Sequence, residues 1–157
     1  ELANEFGEHF FNVSKVTVES FDEKNIELLK EENKLSSEYN VIIARLEIIV
    51  DDNKYTIGNI SPLLSSPDRI LRKRAAEALY DALESKQIEL DELYDGLVKL
   101  RHQMAINMGY ENYVDLAYKK LNRTDYDSKD VTEYRKAIKE YVVPVVKKLK
   151  IRQQLKI

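Results

Sequence analysis

The chain has 157 residues, of which 43% are hydrophobic and 34% charged, with a net charge of −3. That length supports one domain with a real core, and the near balance of charge gives no global pull toward nucleic acid or anionic lipid. Cysteine is absent, which excludes disulfides, a thiol nucleophile and thiolate metal ligation.

With only 4 glycines and 3 prolines, the composition predicts long helices and few loops. Residues 2–20 read as a helix, with Phe6, Phe10, Val13 and Val16 at helical spacing. The β-branched run Val16-Thr17-Val18 works against it. A second helix is predicted over residues 23–45, with Ile26, Leu29, Leu35, Tyr39, Ile42 and Leu46 as its apolar positions. Leu46-Glu47-Ile48-Ile49-Val50 and Lys54-Tyr55-Thr56-Ile57 then flank Asp51-Asp52-Asn53, a hairpin signature. So small a hairpin is marginal alone and must pack on helices or on another strand.

After a short helical turn at residues 59–64, Ser66-Pro67-Asp68 reads as a helix start, with Ser66 as N-cap and Pro67 in the first position. The helix it opens carries Leu71, Ala75, Ala78/Leu79 and Ala82/Leu83 on one stripe, and Lys86-Gln87-Ile88 is a break or a kink. Leu90, Leu93, Leu97, Leu100, Met104 and Met108 mark the next helix, which Gly109 ends in a left-handed cap. A short aromatic helix with Tyr110, Tyr113 and Tyr118 leads to the polar turn Asn122-Arg123-Thr124-Asp125-Tyr126.

Asp127, with Asp130 three residues on, caps the last helix. Its stripe is Val131, Tyr134, Ile138, Val142, Val145 and Leu149, and Pro144 predicts a kink. From Arg135 onward eight basic residues face one acidic residue, Glu140. That pattern reads as a core-facing helix with a solvated basic face. A membrane-surface or nucleic-acid helix is the weaker alternative.

The block from Asp91 to Tyr126, with SPDRILRKRAAEALYDAL before it and VTEYRKAIKEYVVPVVKKL after it, resembles the oligoendopeptidase F family of zinc metallopeptidases, relatives of thimet oligopeptidase. The likeness extends back to KEENKLSSEYN. It implies a mostly helical peptidase with a deep cleft for short, unfolded peptides, and zinc as the parent's cofactor. Such chemistry rests on H-E-x-x-H, two histidines one helical turn apart that bind zinc and a glutamate that activates the bound water. The only histidines here are His9, followed by Phe10, and His102, followed by Gln103. No catalytic or metal-binding residue is therefore assigned, and no cofactor is assigned to this stretch.

The expected fold is mainly α, with antiparallel or kinked long helices and one small hairpin near residues 46–57. The chain reads as a single helical region, 1–157, of a larger peptidase whose catalytic domain lies downstream. It begins with Glu1 rather than Met, and its last helix has no cap. No run is apolar enough to span a bilayer and no signal peptide is visible, so a cytoplasmic protein without nucleic-acid or membrane partners is expected. Its expected partners are the remainder of the peptidase chain, short peptides in the parent, and a second copy through the apolar stripe of the terminal helix.

Arg123, Asp125 and Tyr126 are the candidates for the substrate-cleft wall, where Arg123 could meet a peptide carboxylate. The competing reading of the same turn is structural: an Arg123–Asp125 pair, with Asn122 or Thr124 capping helix ends. The competing reading of the whole chain is a stand-alone helical interaction module without peptidase activity.

Overall fold

A computed structural model describes residues 5–155. It is helical except for one antiparallel hairpin. The predicted helix start at residues 2–4 lies outside the described residues. The chain divides into two compact units, Lys24–Asn107 and Glu1–Glu23 with Met108–Ile157.

In the unit Lys24–Asn107, α2 (Ile26–Ala44) packs along α5 (Gln87–Asn107). Leu93, Met104 and Ala105 are buried in α5. The two helices close tightly at Gly96, where an added Cβ would come within 3.1 Å of Leu35 Cδ1. Asn25, at the N-terminus of α2, is buried and its polar groups are satisfied. Its amide nitrogen donates to the Met104 carbonyl at 3.0 Å, and its oxygen accepts from Asn107 Nδ2 at 2.8 Å. Glu32 on α2 meets Arg101 on α5, with Nε to Oε1 at 2.7 Å.

The hairpin joins β1 (Ile48–Val50) to β2 (Asn53–Tyr55), with Ile48 opposite Tyr55 and Val50 opposite Asn53. Asp51 and Asp52 both have positive φ, 49° and 63°. A two-residue turn of the type that matches strand twist requires this, and Asp tolerates it. The turn is one residue shorter than the Asp51-Asp52-Asn53 reading, because Asn53 already pairs in β2. Ile48 and Val50 point inward and form a core with Ile60 and Ala75. Helices α3 (Ser61–Leu64) and α4 (Arg69–Glu84) supply Leu63, Leu64, Leu71, Ala78, Leu79 and Ala82 around it. The hairpin therefore finds its cover on a helix, and Ala75 is the small residue that lets β1 approach.

One expected cap shifts. Helix α4 begins at Arg69, and its N-cap is Asp68, not Ser66. The Asp68 carboxylate accepts from the N–H groups of Ile70 and Leu71, while Ser66 Oγ accepts from the Asp68 N–H. A carboxylate two residues nearer the positive helix end satisfies two open donors where the hydroxyl would satisfy one. The expected break or kink at Lys86-Gln87-Ile88 is a break of the helix at Ser85-Lys86, and α5 starts at Gln87.

Gly109 follows α5 with φ +82°, as the glycine stop requires. A Cβ there would touch nothing within 4 Å, so substitution tests backbone conformation alone. Gly109→Val should lower the unfolding free energy by about 1–2 kcal/mol, and Gly109→Ala by less. Urea melts of the two variants check this, and an unchanged Val variant would contradict it.

In the other unit, α1 (Glu8–Glu19) packs on α6 (Tyr113–Lys120), and Leu116 is buried. The β-branched run Val16-Thr17-Val18 stays helical, within a helix that Ser20 closes by donating its N–H to the Thr17 carbonyl. Helix α7 (Ser128–Ala137) opens on Asp127, whose carboxylate accepts from the N–H groups of Lys129 and Asp130. Asp130 returns a bond from the Asp127 N–H at 2.9 Å, a complete capping box.

The helix then widens into a π-turn over Ile138–Val142 before α8 (Val143–Gln154). Pro144 has no N–H to give, and its ring would crowd the carbonyl four residues back. The π-turn absorbs both, with the Val143 N–H donating to the Ile138 carbonyl five residues back. The predicted kink is thus a local register change. The predicted burial of this helix's stripe is found only in part: Val131 and Ile138 are half-buried, and the rest is exposed. Tyr134 is 65% exposed, Val145 55% and Leu149 51%. Helical periodicity marks an apolar face, but it does not decide whether anything covers that face.

Candidate functional site

The turn 122–126 takes its shape from the end of α6. Asn122 sits at φ 52°, its N–H donates to the Lys119 carbonyl, and the Arg123 N–H donates to the Tyr118 carbonyl. This pair of bonds closes the helix in a Schellman motif, with asparagine in the place usually held by glycine. Asn122 is therefore the helix stop expected of it, through its backbone.

The closure throws Arg123 back over α6. Its guanidinium carbon lies 4.8 Å from the centre of the Tyr118 ring and 5.8 Å from that of Tyr126. The two rings meet edge to face, 6.1 Å apart at 78°. Each ring presents π density to the cation. The expected Arg123–Asp125 ion pair does not form: Asp125 Oδ1 instead accepts from Thr124 Oγ1 at 3.3 Å. Its side chain lies next to its neighbour's hydroxyl, and stacking on two rings outbids one exposed pair.

Two clefts share this corner. One, of about 370 Å³, is bordered by Lys15 and Glu19 of α1, Lys119 of α6, and Arg123 and Tyr126. The other, of about 500 Å³, lies between Tyr118, Arg123 and Tyr126 on one side and Asp130, Tyr134 and Arg135 of α7 on the other. Two of the three sequence candidates, Arg123 and Tyr126, line both clefts, whereas Asp125 lines neither. The sequence placed Tyr134 on an apolar stripe and Arg135 in a basic run, and it marked neither of them, nor Glu19 nor Lys119, as a site residue. Helical spacing could have paired Val131, Tyr134 and Arg135 on α7, but no local pattern connects Glu19 to a residue a hundred positions away.

Lys119 Nζ donates to Glu19 Oε2 at 2.7 Å, and it lies 5.5 Å over the Tyr110 ring. The hydrogen bond from Lys119 holds the Glu19 carboxyl below its ordinary range, against partial desolvation. The bond to Glu19, aided by Tyr110, raises the Lys119 ammonium. The backbone N–H groups of Asp130 and Lys129 depress the Asp127 carboxyl in the same way.

The signs follow from linkage. A depressed carboxyl stabilises the fold above the ordinary carboxylate range, and this is lost as pH falls through its folded value. A raised ammonium stabilises below the ordinary amine range, and this is lost as pH rises through its folded value. The contact between α1 and α6 should therefore be firmest between these limits. Protection of the α1 amides, referred to their intrinsic exchange rates, should fall as pH drops through the depressed carboxylate range, and Glu19→Gln should flatten that acid limb. An acid limb unchanged by Glu19→Gln would assign it to Asp127 alone.

The metal chemistry implied by the family likeness can be tested against the residues present. His9 is on α1 and His102 on α5, and both are exposed. Among the described residues no three His, Cys, Asp or Glu side chains come together as metal ligands. Among the same residues, no helix is long and apolar enough to cross a membrane.

The profile of peptidase family M3 matches residues 62–156, more than half of the chain. Among curated proteins none matches. A solved structure of a provisionally named oligoendopeptidase F is 37% identical, with a TM-score of 0.91 over 99% of this chain and 27% of its own. Another, from Bacillus anthracis, is 35% identical, with a TM-score of 0.91 over 99% of this chain and 28% of its own. PZ peptidase A, solved with an inhibitor, is also 35% identical, with a TM-score of 0.91 over 98% of this chain and 27% of its own. The chain thus spans little more than a quarter of the length of these proteins.

Proposed function

The chain belongs to peptidase family M3, and from this we propose that it is a non-catalytic helical part of a zinc oligoendopeptidase that hydrolyses short peptides, where it contributes to the wall of the substrate cleft. The match of nearly the whole chain to about a quarter of a longer peptidase carries this reading. The residues present support it, since two exposed histidines far apart in sequence, neither opening H-E-x-x-H, leave zinc binding and water activation to another part of the parent. The open stripe Val142, Val145 and Leu149 supports it too, as a surface suited to meet the remainder of that chain. In isolation the same stripe should drive concentration-dependent self-association, which light scattering would detect. A strict monomer at millimolar concentration would remove that role from the stripe.

The test compares two purified proteins, this 157-residue chain and the longer gene product that contains it. Zinc content and hydrolysis of a quenched fluorescent oligopeptide are measured for each. The expected result is no stoichiometric zinc and no turnover for the short chain, and chelator-sensitive turnover for the long one. Stoichiometric zinc with chelator-sensitive turnover in the short chain would refute the proposal. So would a long chain that stays inert with zinc supplied, or no longer product at all, and either would leave the stand-alone interaction module.

A further inference from the structure

The larger cleft of the Met108–Ile157 segment contains a cation whose hydrogen-bonding capacity is unspent. Arg123 is half-buried and stacked on Tyr118 and Tyr126, yet among the described residues its guanidinium has no carboxylate or carbonyl partner. The buried side-chain nitrogens and oxygens all have partners, so the open donors of Arg123 face accessible space. The two ring contacts restrain the guanidinium without supplying an oxygen acceptor for its N–H groups. Much of the usual rotamer cost of using an arginine is therefore met before any ligand arrives.

The rest of the cleft limits what such an edge would read. Arg135 adds a second cation to the lining and Asp130 one anion. The Asp130 carboxylate accepts from the Asp127 N–H at 2.9 Å and forms no ion pair with Arg123, so the lining carries two cations against one anion. Tyr126 and Tyr134 are 46% and 65% exposed, and each offers a ring face and a hydroxyl beside the two cations. The volume of about 500 Å³ suits one or two amino-acid residues, at the lower part of the range for small-molecule sites. A planar cation with open N–H donors, flanked by aromatic surface, matches a planar carboxylate carried beside an apolar group.

We propose that the cleft between Tyr118, Arg123, Tyr126, Tyr134 and Arg135 binds the free carboxylate of a peptide, with the Arg123 guanidinium as its bidentate partner. The choice of a peptide as carrier rests on the peptidase reading above. The carboxylate itself rests on the geometry of the cleft. Arg135 adds long-range attraction, and the two tyrosines give the terminal side chain a surface to lie on. The same chemistry occurs in a C-terminal carboxylate and in an Asp or Glu side chain, so the ligands must separate the two.

The experiment titrates the 157-residue chain by calorimetry, following the arginine Nε–H resonances in parallel. Three N-acetylated, leucine-rich tetrapeptides are compared: one with a free C-terminus, one amidated, and one amidated with an internal glutamate. Binding of the free acid at least about tenfold tighter than the amide, with a shifted Arg123 resonance, is expected. Recovery of affinity by the internal glutamate would assign the site to any carboxylate, while no recovery would assign it to the C-terminus; either supports the proposal. Arg123→Gln should lose about tenfold or more, and Arg123→Lys most of that, since an ammonium keeps the charge but not the fork or the stack.

Should Arg123→Gln fail to fold, Arg135→Gln and the acid–amide comparison still decide. Arg135→Gln should weaken the free acid about threefold and leave the amide unchanged. Equal binding of acid and amide, or no binding of the acid at about 10 mM, overturns the proposal. A longer peptidase that cleaves peptides while showing no carboxylate preference would sink this site and leave the peptidase assignment standing.

Discussion

Ile48→Ala should lower the unfolding free energy of the unit Lys24–Asn107 by about 3–4 kcal/mol, the middle of the range for such large-to-small core changes. Ile48 is 0% exposed and packs with Val50, Ile60 and Ala75. Its removal forfeits the transfer energy of three carbons and leaves a cavity. The surroundings close over it poorly, because Ala75 in the same core has only a methyl group, which cannot swing into the space. The effect is magnified by the size of the hairpin. Two strands of three residues do not hold themselves together in water, so the inward pair Ile48 and Val50 is what fixes them to α4.

The control lies on the same strand. Ile49 is 49% exposed, and Ile49→Ala should cost less than about 1 kcal/mol. Urea unfolding followed by circular dichroism measures both. Equal losses at the two positions would mean that the strand's faces are not distinguished, and the packing described above would be wrong.

Arg101→Met should be the other large loss, about 2–3 kcal/mol. Removing one partner of a buried pair strands the other charge, at about 3–5 kcal/mol when both are enclosed. Here the Glu32 side chain is only 12% exposed but that of Arg101 is 39% exposed, so solvent screening reduces the figure. The double variant Glu32→Leu with Arg101→Met should recover most of the loss, because it removes the stranded charge along with its partner. A double variant as unstable as the sum of its single variants would mean that the two side chains act independently. The pair spans 69 positions in sequence and ties α2 to α5, so its loss should also speed amide exchange in the middle of both helices.

Other features were legible without the fold because their partners lie within a few residues. The Asp127–Asp130 capping box, the positive φ of Gly109 and the hairpin turn at Asp51-Asp52 are all written in local spacing. Each is a case where a backbone group must find a partner or a conformation at once, and only a few side chains allow it. Pro144 belongs with them: its missing N–H forces the disturbance that appears as the π-turn at Ile138–Val142. The cap at Asp68 rather than Ser66 is the limit of such reading, since two adjacent capping residues compete and the geometry of the preceding turn selects one.

The candidate site divides along the same line. The turn 122–126 could be found as a dense polar run, and Asn122 as the end of a helix. That Arg123 stacks on Tyr118 and Tyr126, that Asp125 turns to Thr124, and that Lys119 reaches Glu19 a hundred residues away followed from the helix ends and packing of that unit. The sequence by itself therefore determined where helices start and stop, where the hairpin turns, and which faces are apolar, because these depend on contacts spanning one or two turns. Only the tertiary structure decided which apolar face is covered, which cation keeps its donors open, and which charges meet. Those outcomes depend on groups brought together from distant parts of the chain, and sequence spacing carries no record of that distance.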